Sequence, residues 1–351
     1  MSGQAAGPGS GPGGVPSAIA LSPILAARYR SRDLDRIAEA APGARIVTLS
    51  VEGLADAPLD DVEVLLRGWL SADAFDRVLA RAPRLAWVHS ATTGVELALT
   101  PTALERGIVI TNARGVFSRP IAEYVLMMIL AVSRRLPQLL ELQRERTWQP
   151  LEGAELRDVT VGIVGLGSIG RAVGALATAF GCRVLATRRR SDAGTAASDS
   201  DPDAASLGEL MLDRVLGPEG LPELLAESDF VVLAAPLTPD TERMIDDRAL
   251  GLMKPGAWLV NVARGRLVDE RALLRALRDG VIGGAVLDTF VEEPLAASSP
   301  FYDLPNVIVT PHTSWSSGRV LDRSVGLFCD NLRHFARAEP LVNVVDPAAG
   351  Y

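Results

Sequence analysis

The sequence predicts an α/β protein built on parallel sheets, with one domain inserted into the middle of another. Three observations predict it. From Ala18 onward, short runs of apolar, often β-branched residues alternate with stretches whose apolar positions recur at helical spacing. The runs are apolar throughout rather than at every second residue, which is the pattern of strands covered by helices on both faces. A glycine-rich turn, GLGSIG at 165–170, stands between one such run and one such helix.

Composition sets the bounds. With 48% of its 351 residues hydrophobic, the chain can fill the cores of about two domains. No apolar run approaches the roughly 18 residues of a membrane span. The N-terminus lacks the basic and apolar regions of a signal peptide, so a soluble, cytoplasmic protein is expected. A net charge of −8 argues against nucleic acid or an anionic membrane as the main partner. Cys182 and Cys329 form no ligand spacing, so neither a metal site nor a disulfide framework is expected. Lys254 is the only lysine, and a single arginine at an interesting position therefore means less here than usual.

Taken in order, residues 1–17 hold too little apolar surface to offset the entropy of ordering and read as a disordered tail. Residues 18–115 read as a small α/β domain with strands AIALSPIL, ARIVTLS, VEVLLRG, LAWVHSA and GIVITNA. Its helix SADAFDRVLARAP has Ser71 as N-cap. The loop ATTGV, with Thr93 and Gly94, follows a strand's carboxyl end, where open α/β sheets place their ligands. Residues 118–145 read as one long helix, with Pro120 tolerated in its first turn and Pro137 set to kink or split it. So apolar a helix belongs between domains or in a subunit interface, which points to a homodimer. Trp148, just beyond it, is placed to reach toward the partner's site.

Residues 116–315 form the expected dinucleotide-binding domain, with strands TVGIVG, CRVLAT, FVVLAA, AWLVNVA, GAVLDT and NVIVTP. Between the second strand and its neighbour, the acidic, Ser/Ala-rich residues 192–207 read as a mobile surface insertion. The last helical pattern carries Val320, Leu321, Val325, Phe328, Leu332 and Phe335 on one side and returns residues 316–351 to the first domain.

The chemistry follows from strand ends. Gly165, Gly167 and Gly170 let backbone approach a pyrophosphate, and the helix after them offers unpaired N–H groups and partial positive charge. A dinucleotide that moves hydride to a ketone needs a proton donor for the developing alkoxide, most often histidine. His312 follows the strand NVIVTP directly. His334 lies in the last helix, where a solvated or packed role is expected, and His89 ends a strand near the ATTGV loop and stays a substrate-side candidate. Arg264 in LVNVARGRLVD can grip a carboxylate bidentately and polarise its carbonyl. Glu293 in LDTFVEEPL can fix an imidazole's tautomer and raise its basicity.

From about Leu85 to Tyr351 the chain resembles the D-isomer-specific 2-hydroxyacid dehydrogenase family. The motifs that carry the resemblance are VGIVGLGSIGR, APLTPDTERMI, LMKPGAWLVNVARGRLVDERALLRAL, GAVLDTFVEEPL and NVIVTPHTS. It implies a Rossmann-type doubly wound parallel sheet inserted into a smaller flavodoxin-like α/β substrate domain, and a dimer joined through the nucleotide domain. It implies that Arg264 binds the substrate carboxylate, that Glu293 assists, and that His312 is the acid/base. Thr93 and Gly94 would offer backbone N–H groups to the same carboxylate. The implied cofactor contacts are Gly165, Gly167, Ser168, Ile169, Gly170, Arg188, Arg189, Pro236, Thr241, Ala263 and Asp288, the last holding the nicotinamide carboxamide. A 2-keto acid reductase using NAD(P)H is expected, on glyoxylate, hydroxypyruvate or a larger 2-keto acid. Alternatives are a non-catalytic NAD(H)-sensing protein of corepressor type, which need not keep an acid/base pair, and an adenosylhomocysteine hydrolase-like enzyme, which the contexts of Arg264, Glu293 and His312 fit worse.

One departure from the family pattern bears on specificity. Where the second strand of the nucleotide domain normally ends in an acid for the ribose, this chain has Arg188, then Arg189 and Arg190. They favour NADP over NAD. The general use of arginine and the nearby Asp192, Asp199, Asp201 and Asp203 pull the other way. Trp69, Leu70 and Trp315 are the expected variable wall of the substrate pocket, unless the core claims them.

Overall fold

A computed structural model describes residues 13–189 and 209–348. The chain divides into two compact units, residues 1–116 with 318–351 and residues 117–317. No helix among the described residues is long and apolar enough to cross a membrane.

The first unit is a five-stranded parallel sheet in the order β2-β1-β3-β4-β5, from β1 (Ala18–Leu21), β2 (Arg45–Thr48), β3 (Val62–Arg67), β4 (Trp87–Ser90) and β5 (Val109–Thr111). This is the flavodoxin-like order, and the strands are the five apolar runs of the sequence. Pro23 ends the first run early by opening α1 (Pro23–Arg28), since proline serves a first helical turn better than a strand interior. Helix α2 (Ser31–Ala40) follows, and Ser71 caps α3 (Ala72–Arg81) by accepting the Ala74 amide at 3.2 Å. Helix α4 (Pro101–Glu105) leads into β5. The last helix of the chain, which spans Val320–Ala336, buries Val325, Phe328, Cys329, Leu332 and Phe335 here. Trp87 stacks on Phe328 and Phe335, with centroids 5.4 and 5.6 Å apart. Part of the expected tail is ordered against this unit: Pro16 is buried and the Gly14 amide donates to Ala336 O at 2.8 Å. Residues 1–12 lie outside the described residues.

The second unit opens with α5 (Ser118–Ser133) and α6 (Leu136–Arg144). The expected single helix is thus two, broken at Arg135, whose φ of 57° leaves the helical region, with Pro137 in the first turn of α6. The apolar side of α5 is not left for another subunit alone. Ile121, Ala122, Val125 and Ile129 are buried in this unit's own core with Ala172 and Val173 of α7 (Ser168–Ala179). The sheet runs β12-β11-β10-β9-β6-β7-β8, all parallel. Its strands are β6 (Thr160–Val164), β7 (Arg183–Thr187), β8 (Arg214–Leu216), β9 (Phe230–Leu233), β10 (Trp258–Asn261), β11 (Gly284–Leu287) and β12 (Val307–Val309). Helices α8 (Leu221–Glu227), α9 (Asp247–Leu252) and α10 (Glu270–Arg278) complete the crossovers, and the chain closes with α11, the Val320–Ala336 helix. Direction reverses between β6 and β9. In open α/β sheets, ligands bind at such a switch point, outside the carboxyl ends of the strands. Arg190 and residues 192–207, the acidic insertion, lie outside the described residues.

Candidate active site

At the switch point, β6 runs into the glycine turn. Gly165 has φ of 100°, and a Cβ there would stand 2.6 Å from Ala235 N. The turn therefore lies directly against the chain leaving β9. A Cβ on Gly170 would meet Gly165 O at 2.2 Å, so α7 can start this close to the turn only with glycine. At Gly167 nothing lies within 4 Å of the same position, and no side chain caps the helix that starts there. An exposed, uncapped helix start over a bare glycine fits an anionic pyrophosphate. Ser168 and Ile169, in the first turn, are half-buried.

The same turn is stitched to β7: Gly165 N and Leu166 N both donate to Thr187 O, at 3.2 and 3.1 Å. Arg188 is the next residue. Its amide donates to Leu216 O at 2.9 Å, and the side chains of Arg188 and Arg189 are exposed. After β9, Thr241 Oγ1 donates to Pro236 O at 2.8 Å and accepts the Thr238 amide, closing the turn that carries both expected cofactor contacts.

The expected acid/base group assembles at the ends of β10, β11 and β12. His312 Nδ1 and Glu293 Oε2 are 2.8 Å apart, and the other carboxylate oxygen accepts the Phe290 amide at 3.0 Å. Half burial pushes the Glu293 carboxyl up, but the His312 ring, the Phe290 N–H and the Arg264 charge outweigh it and hold it below the usual carboxylate range. Arg264, half-buried, follows β10; its guanidinium donates to Ala263 O at 2.8 Å and Asn261 ties its carbonyl from behind. The two loops interlock. A Cβ on Gly265 would stand 2.0 Å from Phe290 C, so a glycine beside Arg264 lets the Glu293 loop close against it.

His312 has φ of 48°, in the left-handed region that costs an ordinary L residue about 1–2 kcal/mol. Asp288 more than offsets this. Fully buried after β11, it accepts Thr310 Oγ1 at 2.6 Å, Thr313 N at 2.8 Å and Ser314 N at 3.0 Å, and each charge-assisted bond contributes about 1.5–3 kcal/mol. Tyr124 OH of α5 meets Thr310 Oγ1 at 2.6 Å, and since Thr310 donates to Asp288, Tyr124 is the donor to Thr310. Every hydrogen bond described for the Asp288 carboxylate thus runs to the loop of His312, a task the resemblance did not imply for it. Thr310 and Tyr124 were missed altogether. The hydroxyl just before Pro311 and His312 was a readable signal, whereas nothing marked Tyr124 within an apolar helix.

Thr93 and Gly94 lie in the first unit after β4, half-buried in a loop fixed by Asn112 Nδ2 on Thr93 O at 3.1 Å and Thr92 Oγ1 on Gly94 O at 2.8 Å. His89 is no substrate group. It is fully buried, with Nδ1 2.8 Å from Thr111 Oγ1 and the ring between Trp87 and Phe328, and burial pushes its pKa down to about 3. Leu70, 1% exposed, is core rather than pocket wall, whereas Trp69 is 61% exposed. His334 bonds Pro340 O at 2.7 Å at the end of α11. Among the described residues no group of His, Cys, Asp or Glu could hold a metal ion, and Cys182 and Cys329 are buried free thiols.

Residues 126–314, more than half of the chain, match the family described as D-isomer specific 2-hydroxyacid dehydrogenase, NAD binding domain. A glyoxylate reductase of Korarchaeum cryptofilum is 33% identical over 318 residues, 88% of this chain and 87% of that protein. A D-3-phosphoglycerate dehydrogenase of Mycobacterium bovis is 36% identical over 85% of this chain, which spans only 53% of that longer protein. Among solved structures, a D-isomer specific 2-hydroxyacid dehydrogenase from Xanthobacter autotrophicus Py2 in complex with NADPH and MES superposes with a TM-score of 0.80 at 29% identity, over 95% of this chain and 99% of that one. With its glycine turn at the switch point and its His312, Glu293 and Arg264 at neighbouring strand ends, the chain belongs to the D-isomer specific 2-hydroxyacid dehydrogenases, oxidoreductases that work with NAD(P).

Proposed function

We propose that this enzyme reduces a small 2-keto acid of the glyoxylate or hydroxypyruvate class, or a somewhat larger one, to the D-2-hydroxy acid, with NADPH preferred to NADH. The observation that carries the reading is the His312–Glu293 pair at 2.8 Å, interlocked through Gly265 with the loop of Arg264. Arg264 pairs with the substrate carboxylate and fixes which carbonyl is presented. The bound nicotinamide supplies the hydride. His312 gives the proton on Nε2, the nitrogen not engaged by Glu293, to the carbonyl oxygen as negative charge develops there. Glu293 holds the ring in that tautomer and stabilises its charged form. Gly165, Gly167, Ser168, Ile169 and Gly170 receive the pyrophosphate, while Pro236, Thr241, Ala263 and Asp288 line the nicotinamide side.

Preference for NADPH rests on Arg188 and Arg189, exposed at the end of β7 and one residue from the anchor of the glycine turn. NADPH in the Xanthobacter neighbour points the same way, and a glyoxylate reductase among the relatives supports the substrate class. The enzyme works in the cytoplasm as a homodimer. Support for the dimer is the apolar surface left open on the second unit: Met127 at 51%, Leu136 at 45%, Leu140 at 44% and Trp148 at 99% exposure. Trp148 then reaches toward the partner's site. The test is oxidation of NADPH and NADH, followed by absorbance, with glyoxylate, hydroxypyruvate and larger apolar 2-keto acids. Turnover on at least one acid, faster with NADPH, is expected. No turnover on any of them refutes the substrate class, and an NADH preference refutes the cofactor assignment.

A further inference from the structure

One more hydrogen bond reaches His312, from a residue that the proposed chemistry does not use. The indole N–H of Trp315 donates to the His312 carbonyl oxygen at 2.8 Å. The ring is itself seated: half-buried against the core that α5 and α7 share, it meets Phe117 edge-on, with centroids 6.2 Å apart and planes at 85°. Phe117 stands immediately before α5. The indole is therefore wedged between the start of that helix and the loop carrying the imidazole.

We propose that Trp315 is a positioning residue of this reaction, its indole N–H fixing the peptide after His312 and so the direction in which the imidazole presents Nε2. The proposal rests on the reading of His312 as the acid/base. Asp288 holds Thr310, Thr313 and Ser314, and the His312 amide turns back onto Thr310 O at 3.0 Å. These bonds define the loop on either side of His312 and its φ. The Thr313 bond holds the N–H edge of the peptide that follows His312, and Trp315 holds its carbonyl edge, so that peptide is pinned from both sides, while Glu293 holds the imidazole at Nδ1. A residue in the left-handed region sits in a narrow well, so losing one of the two pins shifts the ring by more than proton transfer tolerates.

Packing alone predicts something different, and the two separate cleanly. Trp315→Phe keeps an aromatic ring against Phe117 and removes the N–H. We expect kcat at saturating keto acid and NADPH to fall about 3- to 10-fold, the worth of one backbone hydrogen bond. The KM for the keto acid and the NADPH dissociation constant, read by fluorescence, stay within about 2-fold, because Trp315 acts only through His312. In a His312→Ala background the same substitution has no further effect on the residual rate. Wild-type kcat in Trp315→Phe, or equal losses in both backgrounds, overturns the positioning role and leaves His312 standing. Near wild-type turnover in His312→Ala overturns the acid/base reading itself. Should Trp315→Phe fail to fold, Phe117→Leu loosens the seat of the indole but keeps its N–H; a kcat loss of about 2-fold, absent from the His312→Ala background, supports the proposal, and a loss present in both overturns it.

Discussion

Replacing Glu293 by glutamine removes one negative charge beside His312 while keeping the shape of the side chain and an oxygen able to accept from the ring. A charge-assisted bond contributes about 1.5–3 kcal/mol and a neutral one about 0.5–1.5, so the charge itself is worth about 1 kcal/mol. Both side chains are near one-third exposed, His312 at 32% and Glu293 at 34%, and solvent screening argues for the lower half of that range. At 1.36 kcal/mol per tenfold, the expected loss is about 2- to 4-fold in rate. The carboxylate stabilises the charge that the imidazole carries while it handles the proton, so the loss acts through His312. The assay is kcat/KM for the keto acid with NADPH at pH 7, for Glu293→Gln alone and in a His312→Ala background. Glu293→Gln should lose about 2- to 4-fold alone and nothing further beside His312→Ala. No loss in the single variant, or an equal loss in both backgrounds, refutes the coupling. The same carboxylate adds to stability: its depressed pKa makes that contribution full above the ordinary value of 4.5 and lost as pH falls through the depressed one.

Arg188→Asp should lower the ratio of catalytic efficiencies with NADPH and NADH by about 10- to 150-fold, the worth of one charge-assisted contact to phosphate; an unchanged ratio shows that Arg188 only lines a solvated edge. Light scattering at micromolar concentration should give the mass of two chains, and a monomer refutes the dimer and leaves the exposed residues of α6 as surface. His89, buried neutral with its pKa at about 3, takes a proton in the unfolded chain below about pH 6.5 but not in the folded one. Stability therefore falls as pH drops from 6.5 toward 3, by up to about 1.4 kcal/mol per unit. Denaturant titrations of His89→Gln should show a shallower fall between pH 6 and 4, and an equal slope refutes the assignment.

Most strands were legible because continuous apolar runs have few other uses in a polar solvent. β8 was not: Arg214–Leu216 is three residues at a sheet edge, none of them buried, with no apolar run to betray it. The break between α5 and α6 was half legible, since Pro137 marks a new first turn but nothing marks Arg135 as the residue that turns out of the helix. In the site, strand-end position and residue chemistry singled out Arg264, Glu293 and His312, and the structure brings Glu293 and His312 into contact with the Arg264 charge close by. What supports them was hidden because a hydroxyl such as Tyr124 or Thr310 has no sequence signature until its partner is known. His89 failed for a related reason. A histidine ending a strand looks the same in sequence whether the strand end faces a crevice or, as here, a helix bearing Phe328 and Phe335.

The interlock at Gly265 has a consequence for how substrate range can change in such an enzyme. With the Phe290 carbonyl carbon 2.0 Å from where a Cβ would stand, no side chain fits between the residue after Arg264 and the loop that leads to Glu293. The spacing of these two loops is therefore set by backbone against backbone, as a fixed gauge. Substitution cannot stretch it by degrees. On the proposed reading, a change in the acids accepted must come from residues outside this gauge, and variants selected for new substrates should leave 264, 265, 293 and 312 as they are.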